Sequence, residues 1–262
     1  MTGKDRPSEL PDHEIDRLRQ AVTGRSRAQL ILDPDLSPAE QAAFVDLAAR
    51  RQAGEPLQYL EGSVPFGGVD VAVDRRALIP RPETEELHEL VVSLTANPRT
   101  IVDVGTGSGN LAIALKHAFA DSVVYAIDTS RDAVELAEEN ARSAGLEVTV
   151  LCGDLFGPLP ASLRGEVDVI VANPPYVATG AVLPVDIVDH EPHMALFAGE
   201  DGLDVLRRLA AEAPAWLAPG GLLACEIGET QGPACLRLFS SLAPTVERDY
   251  SGRDRFVVGH LL

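Results

Sequence analysis

The feature that most constrains this chain is a glycine-rich turn, Asp103 to Gly109, between an apolar segment and a helical one. Ile101 and Val102 before it are typical of a buried strand, and Leu111 to Leu115 after it are typical of a covered helix. At such a helix start the backbone N–H groups point outward and favour an anionic group. Glycines there permit positive φ and let a ligand approach the backbone closely. The segment therefore predicts a ligand site at the carboxyl end of a strand.

The spacing of the glycines narrows the class of ligand. The pattern is G-x-G-x-G, and position 110 is Asn. A dinucleotide fingerprint is G-x-G-x-x-G, whose last glycine admits a pyrophosphate and close helix packing. The observed spacing argues against a nicotinamide or flavin dinucleotide and fits a nucleoside with a short amino-acid tail. The candidate cofactor-binding residues of this turn are Gly105, Thr106, Gly107, Ser108 and Gly109.

Two further carboxylates follow the next two predicted strands. Val123 to Ile127 runs into Asp128, about twenty residues beyond the glycines, where this architecture places a carboxylate on ribose hydroxyls. Val148 to Leu151 leads to Asp154, which can accept a hydrogen bond from an adenine amino group. Either acid can instead cap the helix that follows it. Taken together, signals at the carboxyl ends of three successive strands indicate an S-adenosylmethionine site.

The tetrapeptide Asn173-Pro174-Pro175-Tyr176 supplies the candidate chemistry. It follows the apolar run Val167 to Val171, and the prolines must end that strand because they cannot continue a central ladder. The Asn173 amide oxygen and a nearby backbone carbonyl can accept both protons of an –NH2 group, while the Tyr176 ring can stack on a planar group. A plain turn is the alternative, since Asn-Pro often marks one. With the upstream signals, we interpret the tetrapeptide as a site for a planar nitrogen substrate.

Charge and composition limit the partners. The chain has 22 Lys and Arg against 40 Asp and Glu, a formal net charge of −18. Proteins that grip duplex DNA neutralise several phosphates with basic residues, so we expect no nucleic-acid partner. An acidic body favours a basic protein partner, or it serves only to keep the protein dissolved.

The remaining composition bears on metals, membranes and compartment. The three cysteines lack metal-ligand spacing, so we expect free or buried thiols and no metal site. No apolar stretch approaches the roughly 20 residues of a membrane span, and Met1 to Asp5 lack the start of a secretory leader. We therefore expect a cytoplasmic protein without a membrane partner.

The chain divides into three predicted parts. Residues 1–53 show helical periodicity, and Ser37 to Glu40 carry the residues of a reciprocally capped helix start. Residues 54–82 hold an alternating run that turns at Gly67-Gly68, which is typical of a hairpin. In residues 83–262 strands and helices alternate, which predicts an α/β fold with a mainly parallel sheet covered on both faces. Two strands in the tail are expected to close that sheet as an antiparallel pair.

On these motifs the chain resembles the HemK-like protein-(glutamine-N5) methyltransferases, which modify peptide chain release factors. The resemblance covers nearly the whole chain and rests on Gly54–Leu57, Leu78–Glu85, Asp103–Gly109, Asn173–Tyr176, His190–Pro192 and Pro219–Gly221. The segment from Ile79 to Glu85 is the most specific of these, because amino-group DNA methyltransferases also carry Asn-Pro-Pro-Tyr. The resemblance implies a Rossmann-like class I S-adenosylmethionine-dependent methyltransferase fold, with a small N-terminal helical domain that docks the substrate and a β-hairpin linker.

The resemblance also implies roles for single residues. Residues 105–109 are expected to hold the methionine part of S-adenosyl-L-methionine, Asp128 the ribose, and Asp154 with Leu155 the adenine. Asn173 belongs to both the cofactor-binding and the catalytic sets. The catalytic candidates are Asn173, Pro174 and Tyr176, and Pro175 joins them in the substrate-binding set. The implied partner is a release factor, and the implied acceptor is the glutamine amide of its Gly-Gly-Gln loop.

Three other functions stay open on the sequence. Methylation of a small-molecule amide or amine is favoured by an N-terminal segment shorter than the family pattern by roughly one helix, and by the apolar loop at 177–188. Adenine-N6 methylation of DNA is opposed by the acidity and by the lack of an added target-recognition segment. A non-catalytic cofactor-binding module would leave residues 173–176 without a use.

Two features near the predicted site have undecided roles. Arg81 either shapes the entrance of the site or pairs with Glu83 or Glu85, and we expect the pairing. His190 and Glu191 either line the substrate loop or make an ordinary loop contact.

Overall fold

Ten α-helices, four short 3-10 helices and nine strands form in residues 10–262, the part of the chain that the computed structural model describes. The first nine residues, which include the start of the predicted helical domain and the segment inspected for a leader, lie outside the described residues. The helices are α1 (Asp12–Thr23), α2 (Arg27–Leu32), α3 (Pro38–Gln52), α4 (Leu57–Glu61), α5 (Pro82–Leu94), α6 (Asn110–Ala118), α7 (Arg131–Ala144), α8 (Val185–His190), α9 (Asp204–Glu212) and α10 (Gly232–Leu238). The strands are β1 (Ser63–Phe66), β2 (Val69–Ala72), β3 (Thr100–Val104), β4 (Val123–Asp128), β5 (Val148–Cys152), β6 (Val167–Ala172), β7 (Leu217–Glu226), β8 (Thr245–Arg248) and β9 (Asp254–His260).

Seven strands form one sheet in the order β5-β4-β3-β6-β7-β9-β8. The first five are parallel, and β9 and β8 close the edge as an antiparallel pair. This arrangement confirms the predicted α/β sheet and its closing pair. The strand order reverses between β3 and β6, and ligands of open α/β sheets bind at the carboxyl ends of the strands beside such a switch point.

The core lies on both faces of this sheet. One cluster includes Val102, Ile170 and Trp216, and a second on the other face includes Ile101, Val169 and Leu115. Neighbouring residues of β3 and β6 therefore point to opposite faces, and both faces are covered, which explains why these strands are continuous apolar runs.

The N-terminal helices form a separate small cluster around Leu18 and Phe44. Ser37 and Glu40 make the predicted reciprocal cap of α3. Helix α4 belongs to the same cluster, because Leu57 and Leu60 are buried in it, and it ends at a glycine in the left-handed conformation. We therefore propose that the helical domain extends to residue 62, beyond the boundary at 53 that the sequence suggested.

The predicted hairpin is present as β1 and β2, which pair around Gly67 and Gly68. Both glycines have positive φ, as a tight hairpin turn requires. The Asn140 side chain of α7 exchanges two hydrogen bonds with the backbone of Ala72, at 2.9 and 3.0 Å. The hairpin is thus attached to the sheet domain rather than free between the two parts.

Within residues 10–262, no helix combines the length and apolar character that crossing a membrane needs. All three cysteines are free; Cys152 is exposed, and Cys225 and Cys235 are buried.

Candidate active site

A cavity of about 340 Å³ lies at the carboxyl ends of β3, β4, β5 and β6. The predicted site residues that line it are Gly105, Thr106, Gly107, Asp128, Asp154, Leu155, Asn173, Pro174 and Pro175. Ser108, Gly109 and Tyr176 are not among its lining residues. The structure thus brings residues from four strand ends to one cavity, as expected for the reversal of strand order at β3 and β6.

The glycine turn is held by backbone geometry that only glycine adopts without strain. Gly105 and Gly107 have φ of 75° and 55°. A Cβ on Gly105 would lie 3.9 Å from the Asn173 carbonyl oxygen, so a side chain there would fill the space between the turn and the end of β6. The missing side chains leave room for a ligand against the backbone.

Asp128 is fixed beside this turn. Its carboxylate accepts hydrogen bonds from the backbone N–H groups of Gly107 and Ser130, each at 2.9 Å. The side chain that caps α7 is that of Ser130, so the alternative role of Asp128 as the helix cap does not apply. Burial raises the pKa of the Asp128 carboxyl, and the backbone N–H groups oppose that rise.

Asp154 and Leu155 form another part of the wall. Asp154 pairs with Arg208 at 2.6 Å while 58% of its side chain stays exposed, which places it toward the solvent side of the cavity. Leu155 is buried and has φ of 45°, an uncommon conformation for a residue with a branched side chain. It gives the cavity an apolar surface beside the carboxylate.

Asn173 is held by a chain of hydrogen bonds that the sequence did not reveal. Its Nδ2 donates to Thr84 Oγ1 at 2.9 Å, and that hydroxyl donates to Glu226 Oε2 at 2.8 Å. Tyr176 donates its hydroxyl to the other oxygen of Glu226 at 3.0 Å. One carboxylate therefore anchors both polar side chains of the predicted substrate motif.

Glu226 is almost fully buried, with 1% of its surface exposed. Burial raises the pKa of its carboxyl, while the two hydroxyls and the nearby Arg255 guanidinium lower it. Burial and the charge of Glu226 raise the pKa of Tyr176, so its hydroxyl keeps its proton. In the sequence, the only sign of a role for Glu226 is that an acid ends an otherwise apolar strand. Thr84 lies within the most specific motif of the resemblance, but nothing in its neighbours indicates a contact with Glu226.

Asp103 was also missed, although it begins the glycine segment. Its Oδ2 accepts from the Thr106 hydroxyl at 2.6 Å and from the Ala112 N–H at 3.2 Å. The other oxygen has no hydrogen-bond partner among the described residues. Burial, with a smaller effect from Asp128, raises the pKa of the Asp103 carboxyl to about 7. This acid holds the turn against the start of α6.

The expected pairing of Arg81 was wrong. Arg81 pairs with Glu191 and not with Glu83 or Glu85. Glu85 is engaged elsewhere, because its carboxylate accepts from the Gly67 N–H of the hairpin at 2.9 Å. Glu191 is buried and also accepts from the Ile79 N–H, so it ties the loop after α8 to the segment before α5.

His190 makes a contact of the same kind, since its Nδ1 lies 2.9 Å from the Arg75 guanidinium. Neither His190 nor Glu191 lines the main cavity. Within the described part of the chain, no group of three or more His, Cys, Asp or Glu side chains is arranged to hold a metal ion.

Comparison with known sequences agrees with this geometry. Residues 87–190 match the family model of the Methyltransferase small domain, and residues 4–62 match that of the PrmC N-terminal domain. The release factor glutamine methyltransferase of Deinococcus radiodurans is 43% identical over 95% of this chain and 91% of its own length. That of Moorella thermoacetica is 44% identical over 94% and 90%.

Solved structures support the fold. A methyltransferase from Pyrococcus furiosus has a TM-score of 0.56 at 18% identity, covering 84% of this chain and 96% of its own. The 16S rRNA N2 G1207 methyltransferase of T. Thermophilus, in complex with AdoMet and guanosine, has a TM-score of 0.57 at 19% identity, covering 76% and 50%. These likenesses confirm the predicted Rossmann-like methyltransferase fold.

Proposed function

This chain belongs to the family of release factor glutamine methyltransferases, and from that premise we propose that it methylates the side-chain amide of a glutamine in a peptide chain release factor. The methyl donor is S-adenosyl-L-methionine. The observation that carries the proposal is the Asn173 amide: its nitrogen is bound to Thr84, which leaves its oxygen as an acceptor at the cavity. The compartment we propose is the cytoplasm, because release factors act on ribosomes there.

The residues around the cavity fit the methyl donor. Gly105 and Gly107 leave backbone surface exposed where the methionine part would lie. The Asp128 carboxylate is fixed at the position suited to ribose hydroxyls, and Leu155 offers an apolar contact for the adenine with Asp154 beside it. When bound, the donor supplies a methyl group on a positively charged sulfur.

The residues of the chain must make a poor nucleophile react. The nitrogen lone pair of a glutamine amide is delocalised into its carbonyl group. In our proposal the Asn173 oxygen and the Pro174 carbonyl accept hydrogen bonds from the substrate –NH2, which orients the nitrogen and increases its electron density. Tyr176, held by Glu226, fixes the plane of the amide. Such positioning contributes roughly 7–11 kcal/mol in well-oriented systems.

No strong general base is needed before transfer. The methylated amide nitrogen carries a positive charge and loses its proton readily to water. The carboxyl with the most strongly raised pKa near the turn, Asp103, is fully enclosed and bonded to Thr106, so we assign it no proton transfer with the substrate. Asn173 and Pro174 then act as hydrogen-bond acceptors only.

A protein substrate is favoured over a small molecule. The match of residues 4–62 to the N-terminal domain model supports a docking domain in this chain. The segment after Tyr176 exposes apolar side chains, with Val182 98%, Val185 72% and Met194 56% exposed, and Met194 also lines the cavity. Exposed apolar groups suit a protein contact. The net charge of −18 opposes DNA as the substrate.

The proposal is tested by intact-mass spectrometry of unmethylated release factor after incubation with this protein and S-adenosylmethionine. We expect a gain of one methyl mass that peptide mapping places on the glutamine of Gly-Gly-Gln. Release factor with that glutamine replaced by alanine is the control and gains nothing. An unchanged mass, while calorimetry shows that the cofactor binds, would contradict the proposal and favour a small-molecule acceptor.

A further inference from the structure

Side chains from three elements meet at one buried carboxylate next to the cavity. Thr84 of α5, Tyr176 after β6 and Glu226 at the end of β7 are joined by hydrogen bonds of 2.8 and 3.0 Å. Thr84 and Glu226 are 2% and 1% exposed, so bulk water does not compete for these bonds. Asn173 joins the group through Thr84 at 2.9 Å.

The number of hydrogens available in this group determines which side chain donates and which accepts in each hydrogen bond. An ionised carboxylate only accepts, so the hydroxyls of Thr84 and Tyr176 must both donate to Glu226. A threonine hydroxyl has one hydrogen, and that hydrogen is then used. Toward Asn173 the Thr84 oxygen can only accept, and it therefore requires the –NH2 end of the Asn173 amide. The amide oxygen must lie on the opposite side.

We propose that Glu226 and Thr84 are positioning residues that lock the Asn173 amide with its oxygen toward the acceptor, and that this lock makes the site select an –NH2 group over a carboxylate. The inference rests on the proposed function, because it takes a glutamine amide as the acceptor. A glutamate at the same place would set its carboxylate against the Asn173 oxygen without a proton between them. A site whose hydrogen-bond polarity is fixed discriminates strongly against a group that cannot satisfy it.

The negative charge on Glu226 keeps the Asn173 amide in this orientation. If Glu226 takes up a proton, it can donate to Thr84, and the Thr84 hydrogen is then free to point at the Asn173 oxygen. The Asn173 amide can then rotate by 180°, exchanging its oxygen and its –NH2 group, without losing a hydrogen bond. The charged groups facing Glu226 are Arg255 of β9, which favours its ionised form, and Glu83 of α5, which opposes it. The hydroxyls of Thr84 and Tyr176 also favour the ionised form, and the Cys225 thiol of β7 is neutral because burial raises its pKa. Since burial raises the pKa of Glu226, the lock should weaken at a higher pH than an exposed glutamate would suggest.

The test compares Thr84→Val, which keeps the shape and removes the hydroxyl, with Thr84→Ser, which keeps the hydroxyl and removes a methyl group. We expect Thr84→Val to lower kcat on release factor by about ten- to a hundredfold, the scale of a lost hydrogen bond in a charged network. Cofactor affinity by calorimetry should change little, and Thr84→Ser should recover most of the rate. Thermal unfolding of both variants checks that each is folded.

A second readout measures selectivity. Release factor carrying glutamate in place of the target glutamine is used as a competitor of the glutamine form. For the natural protein we expect weak competition, and for Thr84→Val competition strengthened by at least about tenfold, because the freed amide can present its –NH2 to the carboxylate. A purely structural role for Thr84 would not move this ratio.

A third readout needs no variant. The kcat of the natural protein should fall as pH is lowered through the raised pKa of Glu226, and Thr84→Val should lack that step. The inference is overturned if Thr84→Val and Thr84→Ser behave alike, if the glutamate competitor is bound equally by all three proteins, or if kcat of the natural protein has no such step. If the natural protein does not methylate glutamine at all, the proposed function itself fails, which is a different result.

Discussion

At the scale of single residues, the buried carboxyl of Asp103 has an unusually high pKa. Asp103 is fully enclosed, one of its oxygens has no partner in the described part of the chain, and the pKa of its carboxyl is about 7. In the unfolded chain the same carboxyl ionises near pH 4. Between these values the folded state holds a proton that the unfolded state releases. This group therefore stabilises the fold at low pH, and its contribution is lost as pH rises toward 7.

We predict that Asp103→Asn removes this pH dependence. The asparagine oxygen can accept from Thr106 and Ala112, and its uncharged –NH2 would lie where the unpartnered oxygen lies now. Relative to the variant, the natural protein should lose up to about 1.4 kcal/mol of unfolding free energy per pH unit between roughly pH 4 and 7. Urea unfolding at several pH values measures the difference. Parallel profiles for the two proteins would show that Asp103 is not the source.

The hydrogen-bond partners of the Asn173 side chain could not be predicted from the sequence. The bond between Thr84 and Glu226 joins positions 142 apart, and nothing local to either residue indicates it. Asn173 and Asp128 were recognisable because each follows an apolar strand at its carboxyl end. The partners that orient Asn173 come from a helix and a strand that meet only in the folded chain.

At the scale of elements, periodicity predicted what local patterns determine. The buried strands, the hairpin at Gly67-Gly68 and the cap at Ser37 are present in the structure. Helix α4 was missed because a five-residue helix has too few positions to show a period, and its burial depends on contact with α1 and α3. Arg81 was assigned to the wrong partner because Glu191 approaches it from 110 positions along the chain.

Gly109 immediately precedes α6, at the point where that helix starts against α7. Its predicted role is cofactor binding, and a Cβ there would lie 3.1 Å from the Cβ of Ala137 on α7. The missing side chain also lets α6 begin tightly against α7. We expect Gly109→Ala to lower the unfolding free energy by about 2–4 kcal/mol, since left-handed strain and crowding both act.

Gly145→Ala is the matched control. Gly145 also has a positive φ, 66°, but a Cβ there would meet nothing within 4 Å. Only the conformational cost of about 1–2 kcal/mol should remain. Urea unfolding of both variants measures the contribution of packing as their difference. Equal losses would mean that Gly109 does not set the distance between α6 and α7.

At the scale of the whole molecule, the cavity lies where the carboxyl ends of the parallel strands meet. Most of the predicted site residues line it, because a parallel sheet gathers its strand ends at one edge. The sequence could not place the helical domain against the rest of the chain, because that placement depends on contacts between separate segments. One example is the Tyr59 hydroxyl of α4, which donates at 2.9 Å to the Ala77 carbonyl in the segment between β2 and α5.

The proposed role of the Asn173 amide is tested most directly by the effect of Asn173→Ala on turnover and on cofactor affinity, measured on the same preparation. Single-turnover methylation of release factor gives the rate, and calorimetry with S-adenosylmethionine gives the Kd. We predict a loss of at least about a hundredfold in rate, because the acceptor that positions the substrate amide is gone, while the Kd changes little. A rate close to that of the natural protein, or a loss of cofactor affinity as large as the loss of rate, would contradict it.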